Sequence, residues 1–310
     1  MRILVVGAGG TGGYYGGRLF QAGRDVSFLV RPARAALLRA HGLQIVSPHG
    51  DATLHPPLVT AAAIGSTFDV ILLSVKAYAL DQAIADFAPA VGANTVIVPV
   101  LNGMRHIELL AERFGPQAVL GGVSHIATTV DDIGRIVQLA PFQKLTYGAR
   151  RSAGAADAGR LAALHALMSD AGFEARLSDE IERDLWEKWV FLATLGGITC
   201  LMRGTIGEIE AAPGGAALAR QLLGECAAVA TASGQAPTAA FLAQTEATVT
   251  AAGSGLASSM YRDLQRGLNV EVDQILGDLL VRAHGVSVAT PLLATAFAHL
   301  RVYAGRLRRS

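Results

Sequence analysis

Of the 26 basic side chains in this 310-residue chain, only Lys76, Lys144 and Lys188 are lysines. Arginine stays protonated in proteins, whereas lysine can give up a proton. A chain that uses arginine nearly everywhere is expected to keep lysine where that chemistry matters. Codon bias with three accidental survivors is the competing explanation. Lys188 lies in the apolar stretch LWEKWVFLATLGG, with Trp186 and Trp189 on either side. That context suits an ammonium beside an apolar surface. A helix-edge lysine paired with Glu187 or Asp184 fits the same pattern.

A second group of residues is suited to holding an anion. The chain opens MRILVVGAGGTGGYYGG, which places Gly7, Gly9 and Gly12 in a G-x-G-x-x-G spacing after an apolar run. In that pattern the first glycine permits a tight turn, the second lets backbone approach a pyrophosphate, and the third allows close helix–strand packing. The helix N-terminus then faces the phosphates. The segment Gly7, Ala8, Gly9, Gly10, Thr11 and Gly12 is therefore the expected dinucleotide cradle. A Gly-rich turn in an unrelated α/β domain is the alternative. Dinucleotide folds of the NAD type carry Asp or Glu at the end of the next strand, to hold the ribose 2′-hydroxyl. Arg31 stands there instead, with Arg34 close behind. A guanidinium pairs with a 2′-phosphate, so NADPH is the expected cofactor; a solvated basic loop is the other reading.

Two polar residues close apolar runs: Lys76 after DVILLSV and Asn102 after TVIVPVL. Ligands of open parallel sheets lie outside the carboxyl ends of the strands, so both are expected at the cofactor. A snorkelling surface lysine and a plain Asn-Gly turn are the alternatives. Glu271 lies in SSMYRDLQRGLNVEVDQILGDLL with Asp263, Asp273 and Asp278, and pattern alone does not separate it from them. The eight histidines show no metal-ligand spacing, so no metal is expected. There is no G-x-S-x-G elbow and no P-loop lysine motif. Two cysteines, Cys200 and Cys226, are too few for a disulfide scaffold or a Cys-rich zinc site and read as buried thiols.

These residues need elements to carry them. The first half alternates short apolar runs with helical stretches, the mark of a parallel sheet with crossover helices. Strands are expected at Arg2–Val6, Asp25–Val30, Asp69–Val75 and Thr95–Leu101, with a helix over Thr11–Ala22. A further, partly antiparallel group covers Ala118–His125, Arg135–Ala140 and Lys144–Gly148. A helix over Ala156–Asp170 and a short strand at Glu174–Leu177 follow. From Ser178 the pattern turns helical, opening with a capping-box-like Asp179 and Glu182. Helices are expected around Ala216–Ser233, Thr238–Ala252, Ser258–His284 and Pro291–Arg306, with Gly285 as a C-cap. Residues 1–177 thus read as a Rossmann-type dinucleotide-binding α/β domain and 178–310 as an all-α domain, in line with about two domains for this length.

The charge balance, 26 basic against 25 acidic residues, argues against a nucleic-acid partner bound by bulk phosphate neutralisation. With 51% hydrophobic and 16% charged residues, the chain is far from the disordered regime. The apolar stretch Trp189–Met202, bracketed by Lys188 and Arg203, is shorter than the roughly 20 residues a bilayer requires. Ile3–Val6 is shorter than a signal-peptide core of about 7–15 residues. No membrane contact and a cytoplasmic location are expected. The basic end RLRRS reads as a solvated tail.

Taken together, GAGGTG at 7–12, SVKAY at 74–78, LNGM at 101–104, LWEKW at 185–189 and SSMYRDLQRGLNVEVD at 258–273 resemble the ketopantoate reductases (2-dehydropantoate 2-reductases), whose fold is of the 6-phosphogluconate dehydrogenase type. The resemblance implies NADPH-dependent reduction of ketopantoate to pantoate. It implies that Lys188 is the catalytic proton donor, that Glu271 contacts substrate and cofactor and orients the site, and that Asn102 positions groups near the nicotinamide. Lys76, Arg31 and the backbone at Ala127 match cofactor contacts, and Ser259 matches a serine that binds the substrate carboxylate. Leu192, Gly196 and Ile206 fall where many relatives carry asparagine. A different small 2-oxo acid is therefore the alternative substrate, and a non-catalytic NADP-sensing protein the alternative class. A homodimer is admitted as an assembly.

Overall fold

A computed structural model describes residues 1–154 and 157–307. Ala156, the expected start of one helix, and Arg308, Arg309 and Ser310 of the basic tail lie outside the described residues. The chain divides into two compact units. One comprises Met1–Leu101 with His106–Ile181. The other comprises Asn102–Arg105 and the chain from Glu182 onward. The sequence reading divides the chain after Leu177; the units divide at Ile181/Glu182, and the short stretch Asn102–Arg105 goes with the second.

In the first unit the elements run β1 (Arg2–Val6), α1 (Gly10–Gln21), β2 (Asp25–Leu29), α2 (Pro32–His41), β3 (Leu43–Val46), β4 (Ala52–Leu54), β5 (Leu58–Val59), β6 (Phe68–Leu73), α3 (Leu80–Phe87), β7 (Val91–Pro99), α4 (Arg105–Phe114), β8 (Gly121–Val130), β9 (Ile136–Gly148), α5 (Ala158–Met168) and β10 (Glu174–Leu177). A five-stranded sheet has the order β5-β2-β1-β6-β7, with every pairing parallel. The runs RILVV and FDVILL are buried nearly end to end, as strands covered on both faces must be. The strand order reverses on either side of β1. The carboxyl ends of β1 and β6 therefore flank the crevice where open α/β sheets bind ligands. Ile3, Val5, Tyr14, Tyr15, Phe28 and Leu72 pack the core of this unit.

The second sheet corrects the sequence reading. Arg135–Ala140 and Lys144–Gly148 are not two strands but parts of the 13-residue β9. It pairs antiparallel with β8, and parallel with β3 and β10. Pro141 at its centre obscures the continuity in the sequence, because proline ordinarily interrupts a strand.

The second unit is helical: α6 (Ile181–Met202), α7 (Ile206–Ala211), α8 (Gly215–Ala232), α9 (Ala239–Val249), α10 (Ser259–Gln265), a π-helical turn (Asp273–Gly277), α11 (Asp278–Gly285) and α12 (Pro291–Leu307). Trp189, Val190, Ile198, Leu222, Leu276 and Leu300 form its core. Cys200 and Cys226 are free and buried, and burial pushes both thiols up to about 12. The expected single helix over Ser258–His284 is broken. Its first part stops at Gln265, and Gly267 adopts φ +69°, a left-handed conformation that glycine takes without strain. Gly285 belongs to α11 itself, and the left-handed residue beyond that helix is Ser287 at φ +57°. Among the described residues no helix is long and apolar enough to cross a membrane.

Candidate active site

The turn between β1 and α1 shows a separate physical demand on each glycine. Gly7 has φ +99°, and a Cβ there would sit 2.5 Å from the carbonyl oxygen of Ser74. A Cβ on Gly12 would sit 2.3 Å from the Gly7 carbonyl oxygen. Both positions are closed to any side chain. Gly9 is different: its φ is −85°, and nothing lies within 4 Å of the Cβ it lacks. Its smallness keeps open space in front of the turn. α1 carries no acidic residue in its first turn, and among the described residues no side chain caps its N-terminus. Its first N–H groups therefore present positive potential to that space. Gly9→Ala is expected to leave the thermal unfolding midpoint nearly unchanged while weakening dinucleotide binding at least about tenfold, because backbone approach to the phosphates is lost. Gly12→Ala is expected to lower the midpoint. Melting curves read beside fluorescence titrations separate the two.

The other residues proposed for the cofactor surround this turn. Arg31 is exposed at the N-cap of α2, one residue past the buried Val30. Arg34 donates from Nε to the Ala8 carbonyl at 3.2 Å and from Nη1 to the Gly134 carbonyl at 2.9 Å. Its Nη2 is buried with no hydrogen-bond partner among the described residues. A leftover guanidinium donor beside a helix N-terminus fits an anionic ligand, so the residues present fit a dinucleotide. Lys76 is exposed just beyond β6. Ala127 lies where the β8–β9 register shifts between Ile126 and Thr128, which takes its backbone out of the regular ladder. Thr128, next to it, packs against Gly10.

In the helical unit, α6 carries Lys188 within its second turn. Lys188 is half-buried, and removal from water pulls its ammonium down to about 8, while the negative charge of Glu271 acts to hold it up. Burial distinguishes Glu271 from the other acidic residues of this stretch. Glu271 is buried, whereas Asp263 and Asp278 are half-buried and Asp273 is exposed. Asp273 pairs with Arg301 at 2.8 Å and Asp278 with Arg282 at 3.5 Å. Glu187 accepts hydrogen bonds from the Thr238 amide and hydroxyl, both at 2.8 Å, and so serves the start of α9. Asn102 lies three residues past the end of β7, and its backbone carbonyl accepts a hydrogen bond from Gln274 Nε2 at 3.2 Å. Ser259 is exposed at the first position of α10. Its neighbour Ser258 is buried, accepts from the Tyr261 amide at 2.9 Å and pairs with the Thr199 hydroxyl at 2.9 Å.

A lysine poised near 8 gives the site a pH dependence of definite sign. A proton-donor role for Lys188 requires its protonated form, so kcat/KM for carbonyl reduction is then expected to be full below about 8 and to fall as pH rises through that value. Glu271→Gln removes the charge that raises the lysine, and is expected to move the falling limb to lower pH. A pH profile whose limb stays in place in that variant would remove Glu271 from this role.

The ketopantoate reductase PanE/ApbA profile matches residues 3–152, and the profile of its C-terminal domain matches residues 180–304. The chain belongs to the ketopantoate reductase PanE/ApbA family. It is an oxidoreductase acting on a CH–OH group, in a family that uses a nicotinamide dinucleotide. The uncharacterized oxidoreductase YkpB of Bacillus subtilis (strain 168) is 38% identical over 303 residues, 98% of this chain and 99% of its own. The crystal structure of 2-dehydropantoate 2-reductase from Geobacter metallireducens GS-15 is similar with a TM-score of 0.88 and 28% identity, over 97% of this chain and 99% of that one. The ternary structure of D-mandelate dehydrogenase with NADH and anilino(oxo)acetate shares the fold at a TM-score of 0.87 and 22% identity, over 99% of this chain and 100% of that one.

Against the ketopantoate reductase pattern, three positions of this family member are apolar. Leu192 is half-buried and packs on the helical core. A Cβ on Gly196 would meet the terminal methyl of Met260 at 2.7 Å. Ile206 is fully buried, and its amide donates to the Leu256 carbonyl at 2.9 Å. Gln274, Ser258, Thr199 and Met260 escaped the sequence reading. For Gln274 a signal existed: it is the one amide in the otherwise apolar buried set Val272, Ile275 and Leu276.

Proposed function

We propose that this oxidoreductase reduces a small 2-oxo acid to the 2-hydroxy acid with NADPH, ketopantoate being the first substrate to test. The observation that carries the reading is the half-buried Lys188 under the electrostatic influence of the buried carboxylate of Glu271, in a chain whose other unit has an open glycine turn at a helix N-terminus. When bound, reduced nicotinamide supplies a hydride. As the carbonyl carbon accepts it, the carbonyl electron pair moves to oxygen, and the Lys188 ammonium donates the proton that completes the hydroxyl. The same ammonium stabilises the charge developing on that oxygen. Glu271 and Asn102 hold lysine and substrate in line, and the exposed Ser259 hydroxyl is assigned to the substrate carboxylate. Gly7 to Gly12, Arg31, Lys76 and the Ala127 backbone are assigned to the cofactor. NADPH consumption across a panel of 2-oxo acids tests the reading; a protein that binds NADPH and reduces none of them would overturn it.

The preference for NADPH over NADH rests on Arg31 at the end of β2. Arg31→Ala is expected to weaken NADPH binding by about 1–3 kcal/mol, the range for a hydrogen bond to a charged group, and to leave NADH binding nearly unchanged. Fluorescence titration of both cofactors measures this. Equal losses for the two would show that Arg31 does not hold a 2′-phosphate.

A further inference from the structure

The π-helical turn Asp273–Gly277 bonds to Glu271, to Asn102 and to Trp189, the neighbour of Lys188. Trp189, next to Lys188, donates its indole N–H to the Ile275 carbonyl at 2.8 Å. The Ile275 amide in turn donates to the Glu271 carbonyl at 3.0 Å. Gln274, only 7% exposed, donates its side-chain amide to the Asn102 carbonyl at 3.2 Å. The contact with the Asn102–Gly103 turn is close on a second side as well. Gly103 has φ +78°, and a Cβ there would sit 2.6 Å from the Gln274 carbonyl oxygen.

Burying an amide is costly unless its hydrogen bonds are made. An apolar side chain would fill the same volume among Val272, Ile275 and Leu276. What an amide adds at this point is a donor aimed at Asn102. We infer that Gln274 is a positioning residue, which locks the Asn102 turn in register with Glu271 and acts on the reaction through Asn102. The inference rests on the reductase reading only for its kinetic arm.

The test has two arms. In the first, hydrogen–deuterium exchange of the peptide spanning residues 101–106 is compared between the wild type and Gln274→Leu. Loss of the brace is expected to speed exchange there at least about tenfold, because protection follows local opening. Unchanged exchange overturns the inference whatever the enzyme's substrate. The second arm is a double-mutant cycle on kcat with Asn102→Ala. Gln274→Leu alone is expected to lower kcat by about 10- to 100-fold, the effect of a displacement near 1 Å, with the NADPH dissociation constant within about twofold. In the Asn102→Ala background the same change should cost less than about twofold, because residues acting as one unit are not additive. Equal losses in both backgrounds would mark Gln274 as merely structural and overturn the inference. Gln274→Glu keeps the shape but replaces the donor by an acceptor, and is expected to give the same pattern should the leucine variant fold poorly. A wild type that reduces no 2-oxo acid, yet shows the exchange effect, would instead count against the reductase reading.

Discussion

Lys188→Ala is expected to lower kcat by about 10²- to 10⁴-fold, the usual contribution of a positioned general acid. It is expected to leave NADPH binding intact, because the residues assigned to the cofactor's phosphates, Gly7–Gly12 and Arg31, lie in the other unit of the chain. The magnitude follows from two losses in one substitution: the proton donor and a fixed positive charge at the reacting oxygen. Turnover and NADPH fluorescence measured on the same preparation separate chemistry from binding. A variant that binds NADPH and turns over at the wild-type rate would remove Lys188 from the mechanism.

The second large effect concerns the acyl group. On the proposed reading, Leu192 and Gly196 stand where the resemblance to ketopantoate reductases implies amides that contact the acyl group; Leu192 packs on the helical core, and the Met260 methyl fills the space at Gly196. Ketopantoate and trimethylpyruvate differ only by one hydroxyl. A site lacking groups to pair that hydroxyl leaves it desolvated and unsatisfied. Trimethylpyruvate is expected to match or exceed ketopantoate in kcat/KM, by up to about 10²-fold, the limit for a hydrophobic pocket rejecting a hydroxylated isostere. Leu192→Asn with Gly196→Asn is expected to shift the ratio toward ketopantoate, the Met260 methyl swinging aside at the far end of a flexible chain. A wild-type preference for ketopantoate far above every other compound would show that other residues satisfy the hydroxyl.

The parts of this molecule legible in the sequence are those where a local rule and the tertiary structure ask for the same residue. Strands β1, β2, β6 and β7 are such cases, since burial on both faces demands the apolar runs that announce them. The glycine turn is another, because Gly7 and Gly12 each answer a contact with a neighbouring strand end or with the turn itself, and Gly9 keeps the space before it open. Where tertiary contacts decide, pattern is silent. Glu271 and Asp273 are two positions apart and chemically alike, and only packing buries one and leaves the other against Arg301. Asn102 looked like the end of a strand, whereas it belongs with the helical unit through Gln274, far away in sequence. The break after Gln265 is not legible in the sequence, because Gly267 sits inside a stretch whose charge and spacing otherwise continue a helix.

The π-helical turn also sets an angular phase. Successive residues of an α-helix are rotated by about 100°, so an uninterrupted helix would place Gln274 on the side opposite Ala283, a residue of the helical core. The wider ring of the π turn holds one residue more than an α turn does. It turns everything upstream by about 100° relative to α11, and that rotation brings Gln274 to the same inward side as Leu279. In this stretch a one-residue deletion therefore acts as a rotation of the chemistry about the helix axis, with the downstream core in Leu279, Leu280 and Ala283 left in place.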